Sequence, residues 1–365
     1  MSLPVIDLSP LAAEARDAGA VKRLAATVDQ ACRETGFLFI TVPDHEIRKL
    51  LALSRLFDLP QAAKDALDAT QSPLFRGYNS LQHGKHSCTP EDGKRDAKES
   101  FTVGMDRASG DARPASPMHG PNQWPPEQLL PGWREEAEAA LAHLLGVARL
   151  LMRALALALE QSEEFFTSKC QDPVAQMVFF RYPPTPAGPP ARGCGEHTDC
   201  GFLTFVAQDA PGIEVRLPDG SWLAAPCLPG TLLVNLGDLA QHWTGGVYQS
   251  TEHRVVNRSA STTRHSLVFF CNCDYDAVVE TIPAPAAAAA GTATGAEDGE
   301  AHAQTGAGSA QAAGEASAAG APAAAHGGGR GRCASRAPPR QGGGLHHATP
   351  WPHACLTPES PLLNC

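Results

Sequence analysis

His197-Thr198-Asp199, flanked by Cys194 and Cys200 and followed by the apolar run Leu203 to Val206, is the stretch on which the reading of this chain turns. An imidazole and a carboxylate two residues apart in an extended segment point to the same face, so one nitrogen and one oxygen donor can meet a single cation. His253, in Ser250-Thr251-Glu252-His253-Arg254-Val255, comes 54 residues after Asp199. That gap suits a barrel whose neighbouring strands are distant in sequence. In a chain with 14 histidines and 39 acidic residues, either element alone would carry little weight. The surrounding text gives them meaning.

From Met177 to Tyr275 the sequence is a series of short apolar runs: Met177 to Tyr182, Leu203 to Val206, Ile213 to Leu217, Thr231 to Asn235 and Ser266 to Cys271. Pro218-Asp219-Gly220, Pro229-Gly230 and Gly245-Gly246 punctuate them as turns. Regularly spaced short strands imply a sandwich or barrel. Upstream, Pro4 to Leu8 reads as a strand and Val21 to Thr35 as a helix, with Leu24, Val28, Ala31 and Cys32 on one face and Gly36 as its stop. Phe37 to Val42 is a second apolar, β-rich run. The Gly- and Pro-rich stretch from about Ser72 to Glu127 reads as long surface connections, with Lys98-Glu99-Ser100-Phe101 as a candidate short strand. A long helix from about Trp133 to Gln161 carries Leu141, Leu144, Leu145, Ala148, Leu151, Leu155 and Leu159 at helical spacing, as expected of a scaffold backing a sheet.

Composition narrows the function. The formal charge is -10, from 39 acidic and 29 basic residues, and no Lys or Arg run forms a phosphate-tracking stripe, so nucleic acid is not an expected partner. The N-terminus lacks a basic region followed by an apolar one, so no secretory signal is read and a cytoplasmic location is expected. Leu141 to Leu159 is interrupted by His143, Arg149 and Arg153, which favours a core helix over a membrane span; no membrane partner is expected. The 11 cysteines are scattered without CxxC pairs and read as reduced, structural thiols. After about Pro283 the composition turns to Ala, Gly, Ser and Pro until Trp351, too poor in large apolar residues to offset ordering entropy; disorder is expected there. That tail holds five acids and four arginines, so the acidity belongs to the residues before it.

Two histidines and one carboxylate on one face of an octahedron are the ligand set of non-haem iron(II) oxygenase sites, which leave three positions open. A closed structural zinc site would use four Cys or His ligands. Arg264 and Ser266 follow 11 and 13 residues after His253, two apart on an expected strand. An Arg fork and a hydroxyl on one face form a carboxylate clamp, which suits the far end of a dicarboxylate chelating iron through its 2-oxo acid. Tyr182, in Phe180-Arg181-Tyr182-Pro183-Pro184, is a candidate phenolic donor to the same group. Apolar walls around the site are assigned to Phe101, Leu203 and Phe205.

Taken together these residues resemble the isopenicillin N synthase-like branch of the 2-oxoglutarate/iron(II)-dependent dioxygenases. His197 and Asp199, His253, and Arg264 with Ser266 meet the family's HxD, distal His and RxS elements. Pro4 to Leu8, Arg76-Gly77-Tyr78, Lys98 to Phe101, Gly120 to Pro125 and Asn235-Leu236-Gly237-Asp238 add to the match, which spans roughly residues 3 to 282. The resemblance implies a mainly β fold with flanking helices: a double-stranded β-helix, or jelly-roll, core with a mixed α/β N-terminal region. The expected division is residues 1–130 as the N-terminal region with substrate-side loops, 131–170 as the scaffold helix, 171–282 as the iron and 2-oxoglutarate core, and 283–365 as the tail.

It also implies an oxidoreductase with Fe(II), 2-oxoglutarate as co-substrate and O2, hydroxylating a small organic molecule with release of succinate and CO2. His197, Asp199 and His253 would hold the metal, and Arg264, Ser266 and Tyr182 the co-substrate, with no catalytic side chain beyond the metal centre. Two rivals are an iron-dependent oxidase of the same fold that does not use 2-oxoglutarate, and a non-catalytic binding protein on the same barrel. Relatives continue into an ordered C-terminal segment that helps close the site; here the low-complexity tail begins about where that segment should start. The sequence sets no oligomeric state.

Overall fold

The computed structural model describes residues 2–80, 96–106, 116–184 and 191–283, all within one compact unit. The tail expected after about Pro283, and residues 81–95 and 107–115 of the expected surface connections, lie outside the described residues.

The N-terminal helix forms as its periodicity predicts. Six α-helices are described: α1 (Ser9–Ala12), α2 (Ala18–Glu34), α3 (Asp44–Ala52), α4 (Gln61–Asp65), α5 (Trp133–Ala158) and α6 (Asp238–Trp243). The Asp17 carboxylate accepts from Gly19 N at 2.9 Å and caps α2, whose Leu24, Val28, Ala31 and Cys32 are buried. At its end Gly36 takes φ +64°, and a Cβ there would meet Gln249 O at 2.0 Å, so this position requires glycine both for its angle and for its space.

The described residues form twelve strands: β1 (Val5–Ile6), β2 (Phe37–Thr41), β3 (Gly77–Asn79), β4 (Glu99–Gly104), β5 (Pro173–Tyr182), β6 (Ala191–His197), β7 (Leu203–Gln208), β8 (Ile213–Arg216), β9 (Trp222–Ala224), β10 (Thr231–Leu236), β11 (His253–Asn257) and β12 (Arg264–Asp274). They make two sheets, an eight-stranded one in the order β1-β2-β10-β7-β12-β5-β4-β3 and a four-stranded one in the order β6-β11-β8-β9. This is the expected jelly roll, a mainly β core flanked by helices. Strands of the N-terminal region take part in the larger sheet, since β2 pairs with β10 and β4 with β5. The expected surface connections after Ser72 therefore contain two paired strands, β3 and β4. Their pairing places Arg76 and Glu99 in the interior, where Lys64 and Tyr78 hydrogen-bond the Glu99 carboxylate.

Strand alternation sorts the larger sheet into two cores. Leu38, Phe101, Phe179, Leu203, Phe205, Val234, Leu267 and Phe269 pack on the helix side. Phe37, Phe39, Val178, Phe180, Val206, Leu233 and Phe270 face inward, where they meet Cys194, Ile213, Val215 and Val255 from the smaller sheet. The inner space between the sheets is where the site lies.

α5 supports the outer face. Among the described residues it is the one helix long and apolar enough to cross a membrane by length and composition, but Trp133, Ala137, Leu144, Ala148 and Leu151 are fully buried in the helix-side core. The Trp133 indole N–H donates to Leu53 O at 2.8 Å and pins the helix start. Leu151→Ala is expected to cost about 2–5 kcal/mol through lost burial and a residual cavity, read as a lower denaturant midpoint at unchanged slope.

Candidate metal centre and carboxylate clamp

β6 ends at His197, and its antiparallel pairing with β11 sets His197 directly opposite His253. The two rings lie 4.3 Å apart between centroids, and Phe37 packs edge-on against His253 at 5.5 Å. Asp199 does not extend the strand, as the spacing alone suggested. It lies in the following connection, where its backbone carbonyl accepts from Asp238 N at 2.7 Å. Gly237 permits that turn, since a Cβ there would come within 2.5 Å of Asp199 O. The bend buries the carboxylate and aims it at both histidines.

Hydrogen bonding fixes which atoms face inward. His197 Nδ1 lies 2.8 Å from Gly195 O and His253 Nδ1 lies 3.1 Å from Thr251 O. A carbonyl can only accept, so each Nδ1 carries the hydrogen and each Nε2 presents its lone pair. Asp199 Oδ2 accepts from Thr204 Oγ1 at 2.6 Å and from Asn235 Nδ2 at 2.7 Å. Oδ1 then faces the two Nε2 atoms at 3.6 and 3.7 Å. The three ligand atoms lie within 4.8 Å of one another, and two neutral imidazoles with one carboxylate oxygen fit a divalent first-row metal with positions left open.

Charge is balanced tightly in this buried group. Burial works to raise the Asp199 carboxyl, but His253, His197 and the two hydrogen bonds to Oδ2 outweigh it and hold the group below the usual carboxylate range. Burial and the neighbouring His197 push His253 down to about 4. Burial opposes a charge on His197 as well, yet Cys194 and Asp199 hold it up at about 9. Without a metal, the pair of rings therefore carries one positive charge near neutral pH, as a second proton on His197 at the Nε2 that a metal would take over.

The second constellation forms on β12 and β5. Arg264 stands opposite Tyr182 in the register, and its guanidinium lies 4.8 Å over the Tyr182 ring. Arg264 is 2 % exposed and donates to Ala210 O at 3.0 Å, to Gln208 Oε1 at 2.8 Å and to Ser266 Oγ at 3.4 Å. Among the described residues no carboxylate pairs with it. Burial raises the Tyr182 phenol, against the opposing pull of Arg264, and it stays a protonated donor. The structure thus brings Arg264, Ser266 and Tyr182 together, and Tyr182 joins them to the cavity that holds the histidines.

That cavity encloses about 480 Å³ counting its mouth, and its apolar lining is Phe37, Phe180, Val206, Val255, Val268 and Phe270 among others. Phe101, Leu203 and Phe205, expected as walls, face the helix-side core instead. Their strand neighbours Thr204 and Val206 face the cavity, because alternation gives adjacent residues to opposite faces. Thr204, Asn235 and Gln208 were missed from the sequence. Each is a polar residue within an apolar strand, and that interruption was the available signal.

Comparison with known proteins agrees with this geometry. Residues 173–272 match the family model of the 2OG-Fe(II) oxygenase superfamily, and residues 3–127 match the model for the N-terminal region of non-haem dioxygenases in morphine synthesis. A homoarginine-6-hydroxylase of Glycine max is 32% identical over 77% of this chain and 88% of its own length. The validamycin A dioxygenase of Streptomyces hygroscopicus subsp. limoneus is 34% identical over 77% of this chain and 79% of its own length. A full-length Neurospora crassa protein crystallised in complex with alpha-KG superposes with a TM-score of 0.67 at 26% identity, covering 77% of this chain and 88% of that one.

Proposed function

This chain belongs to the 2OG-Fe(II) oxygenase superfamily, and from that premise we propose that His197, Asp199 and His253 hold its iron while Arg264, Ser266 and Tyr182 hold its 2-oxoglutarate. It is an iron(II)- and 2-oxoglutarate-dependent dioxygenase. When bound, the iron supplies dioxygen activation coupled to the conversion of 2-oxoglutarate into succinate and CO2, with oxidation of a substrate. The substrate in this reading is a small organic metabolite and the outcome hydroxylation. We infer a cytoplasmic enzyme that engages neither nucleic acid nor membrane, on the acidic composition and the burial of the apolar face of α5.

The observation that carries the co-substrate assignment is the buried Arg264, a cation whose partners are a carbonyl, an amide and a hydroxyl rather than a carboxylate. A permanent charge there gains most from an incoming carboxylate, received by the guanidinium fork with Ser266 and the Tyr182 phenol as further donors. His197 and His253 each offer Nε2 because a backbone carbonyl holds Nδ1–H, and Asp199 offers Oδ1 because Oδ2 is occupied. Phe180, Val206, Val255, Val268 and Phe270 exclude water from the reacting end. Succinate formation that requires iron and rises on addition of a substrate tests this reading. Substrate turnover without succinate would instead indicate an oxidase of the same fold.

Two further outcomes follow from the ligand environment. Thr204→Val or Asn235→Leu removes a partner of Asp199 Oδ2 and is expected to weaken metal affinity about 10–100-fold, measured by competition with a chelator. Metal binding also competes with the proton held by His197. From about pH 9 downward, apparent affinity should fall about tenfold per pH unit, and the slope should steepen only as pH approaches the His253 value near 4. Calorimetry in buffers of different ionisation heat should show about one proton released per metal at pH 7. No proton release there would contradict the protonated His197.

A further inference from the structure

We propose that the Asp238 carboxylate is a positioning group for the metal centre, tying together the two stretches of chain that carry its ligands. This role rests on the assignment of iron to His197, Asp199 and His253, and it adds what holds the three in register before a metal enters. The stretches are far apart in sequence. His197 ends β6 and Asp199 lies in the connection after it, whereas His253 begins β11.

The junction between β10 and α6 meets both. Three consecutive backbone N–H groups there donate into the Asp199 connection: Gly237 N to Phe202 O at 3.2 Å, Asp238 N to Asp199 O at 2.7 Å and Leu239 N to Gly201 O at 3.1 Å. The Asp238 side chain then reaches in two directions. Oδ2 accepts from Thr198 Oγ1 at 3.3 Å, on the residue between the two ligands of the first stretch, and Oδ1 accepts from Ser250 Oγ at 2.6 Å, on the approach to the third ligand. α6 holds Ser250 a second time, since its backbone N–H donates to Gln241 Oε1 at 2.8 Å. The next residue is Thr251, whose carbonyl takes the Nδ1 hydrogen of His253. One carboxylate thus bridges the chain between His197 and Asp199 to the group that orients His253.

Strand pairing alone does not do this. The β6 to β11 register sets the two histidines opposite each other, but Asp199 lies past the end of β6 and outside that register. Its placement against His253 depends on the contacts of its own connection, and Asp238 supplies one that reaches the His253 side. Ligands held in place before the ion enters bind it more tightly, because the entropy of ordering the connection is not charged to binding. Either hydroxyl can donate or accept, so an amide at position 238 would keep both bonds, its oxygen accepting from one hydroxyl and its NH2 donating to the other. A role of position therefore predicts that Asn serves where Ala does not.

The test is the Mn(II) affinity of the metal-free full chain, read from the electron paramagnetic resonance signal of the free ion and so independent of turnover. Asp238→Ala should bind Mn(II) about 10–100-fold more weakly, the range for loss of a partner behind a metal ligand. Asp238→Asn should stay within a few-fold of the wild type. Ser250→Ala added to Asp238→Ala should cost nothing further, since both act through one bridge. A role confined to fold stability would lower the thermal midpoint of metal-free Asp238→Ala and leave the Mn(II) affinity of the folded chain unchanged.

Wild-type affinity in Asp238→Ala would overturn the proposal. So would an Asp238→Asn protein as weak as Asp238→Ala, which would make the charge responsible rather than the bridge. Should Asp238→Ala fail to fold, Thr198→Val combined with Ser250→Ala removes the same two bonds and should show the same loss, and wild-type affinity in that double variant would be equally decisive against the bridge. Failure of the wild type to bind Mn(II) would count against the metal centre itself, a distinct result.

Discussion

Asp199→Ala should leave a folded chain that no longer retains iron. The carboxylate is central because Oδ1 is nearly equidistant from both Nε2 atoms and Oδ2 is bonded by Thr204 and Asn235. Loss of a supporting partner around a metal ligand costs about 10–100-fold in affinity, and loss of the ligand itself should exceed that range. Iron per chain should fall to background after desalting, and succinate formation with it. A circular dichroism spectrum matching the wild type separates this result from unfolding, a needed control because Thr204 and Asn235 lose their shared acceptor. Stoichiometric iron in the variant would reject the assigned centre.

Arg264→Met should act on the co-substrate and leave the metal in place. Truncating one partner of a buried charge pair costs about 2–5 kcal/mol, so the KM for 2-oxoglutarate should rise about thirtyfold or more. Iron content at saturating metal should match the wild type. Arg264→Lys should recover only part of the loss, since an ammonium keeps the charge but not the two-pronged geometry. An unchanged 2-oxoglutarate KM in Arg264→Met would remove the clamp from the account.

The contrast between these variants reflects how differently the two halves of the site are written in the sequence. The His197–Asp199 and Arg264–Ser266 pairs stand out by their two-residue spacing; the structure brings His197, Asp199, His253 and Tyr182 to one cavity, with Arg264 and Ser266 beside Tyr182. Alternation on β12 makes Arg264 and Ser266 neighbours on one face, as the sequence implied. The His197 to His253 pairing needed the fold: β6 and β11 meet across a gap that sequence spacing can suggest but cannot register.

The route by which Asp199 reaches the histidines was not legible. It depends on the turn after β6 and on Gly237, and a His-x-Asp triplet reads the same in a strand or at its end. The cavity walls were misassigned for a related reason. Leu203, Phe205 and Phe101 are the large apolar residues of their runs, but large apolar residues also serve the helix-side core, and parity decides between the faces. β3 was obscured because its neighbourhood is rich in Gly and Pro, whereas the candidate strand at Lys98 to Phe101 forms as β4, Glu99–Gly104, through its pairing with β5. β6, β9 and β11 were also missed as strands: Gly193 and Gly195 dilute the first, three residues make up the second, and His253 and Asn257 break the apolar pattern of the third.

The most direct test of the account is a crystal structure of the protein with Mn(II) substituted for Fe(II) and with 2-oxoglutarate bound, located by anomalous scattering. One strong peak should appear, bonded to His197 Nε2, His253 Nε2 and Asp199 Oδ1 at roughly 2.0–2.2 Å, values ordinary for nitrogen and carboxylate ligands. The far carboxylate of 2-oxoglutarate should rest on Arg264 and Ser266. A peak at any other group of residues, or 2-oxoglutarate bound away from Arg264, would contradict it.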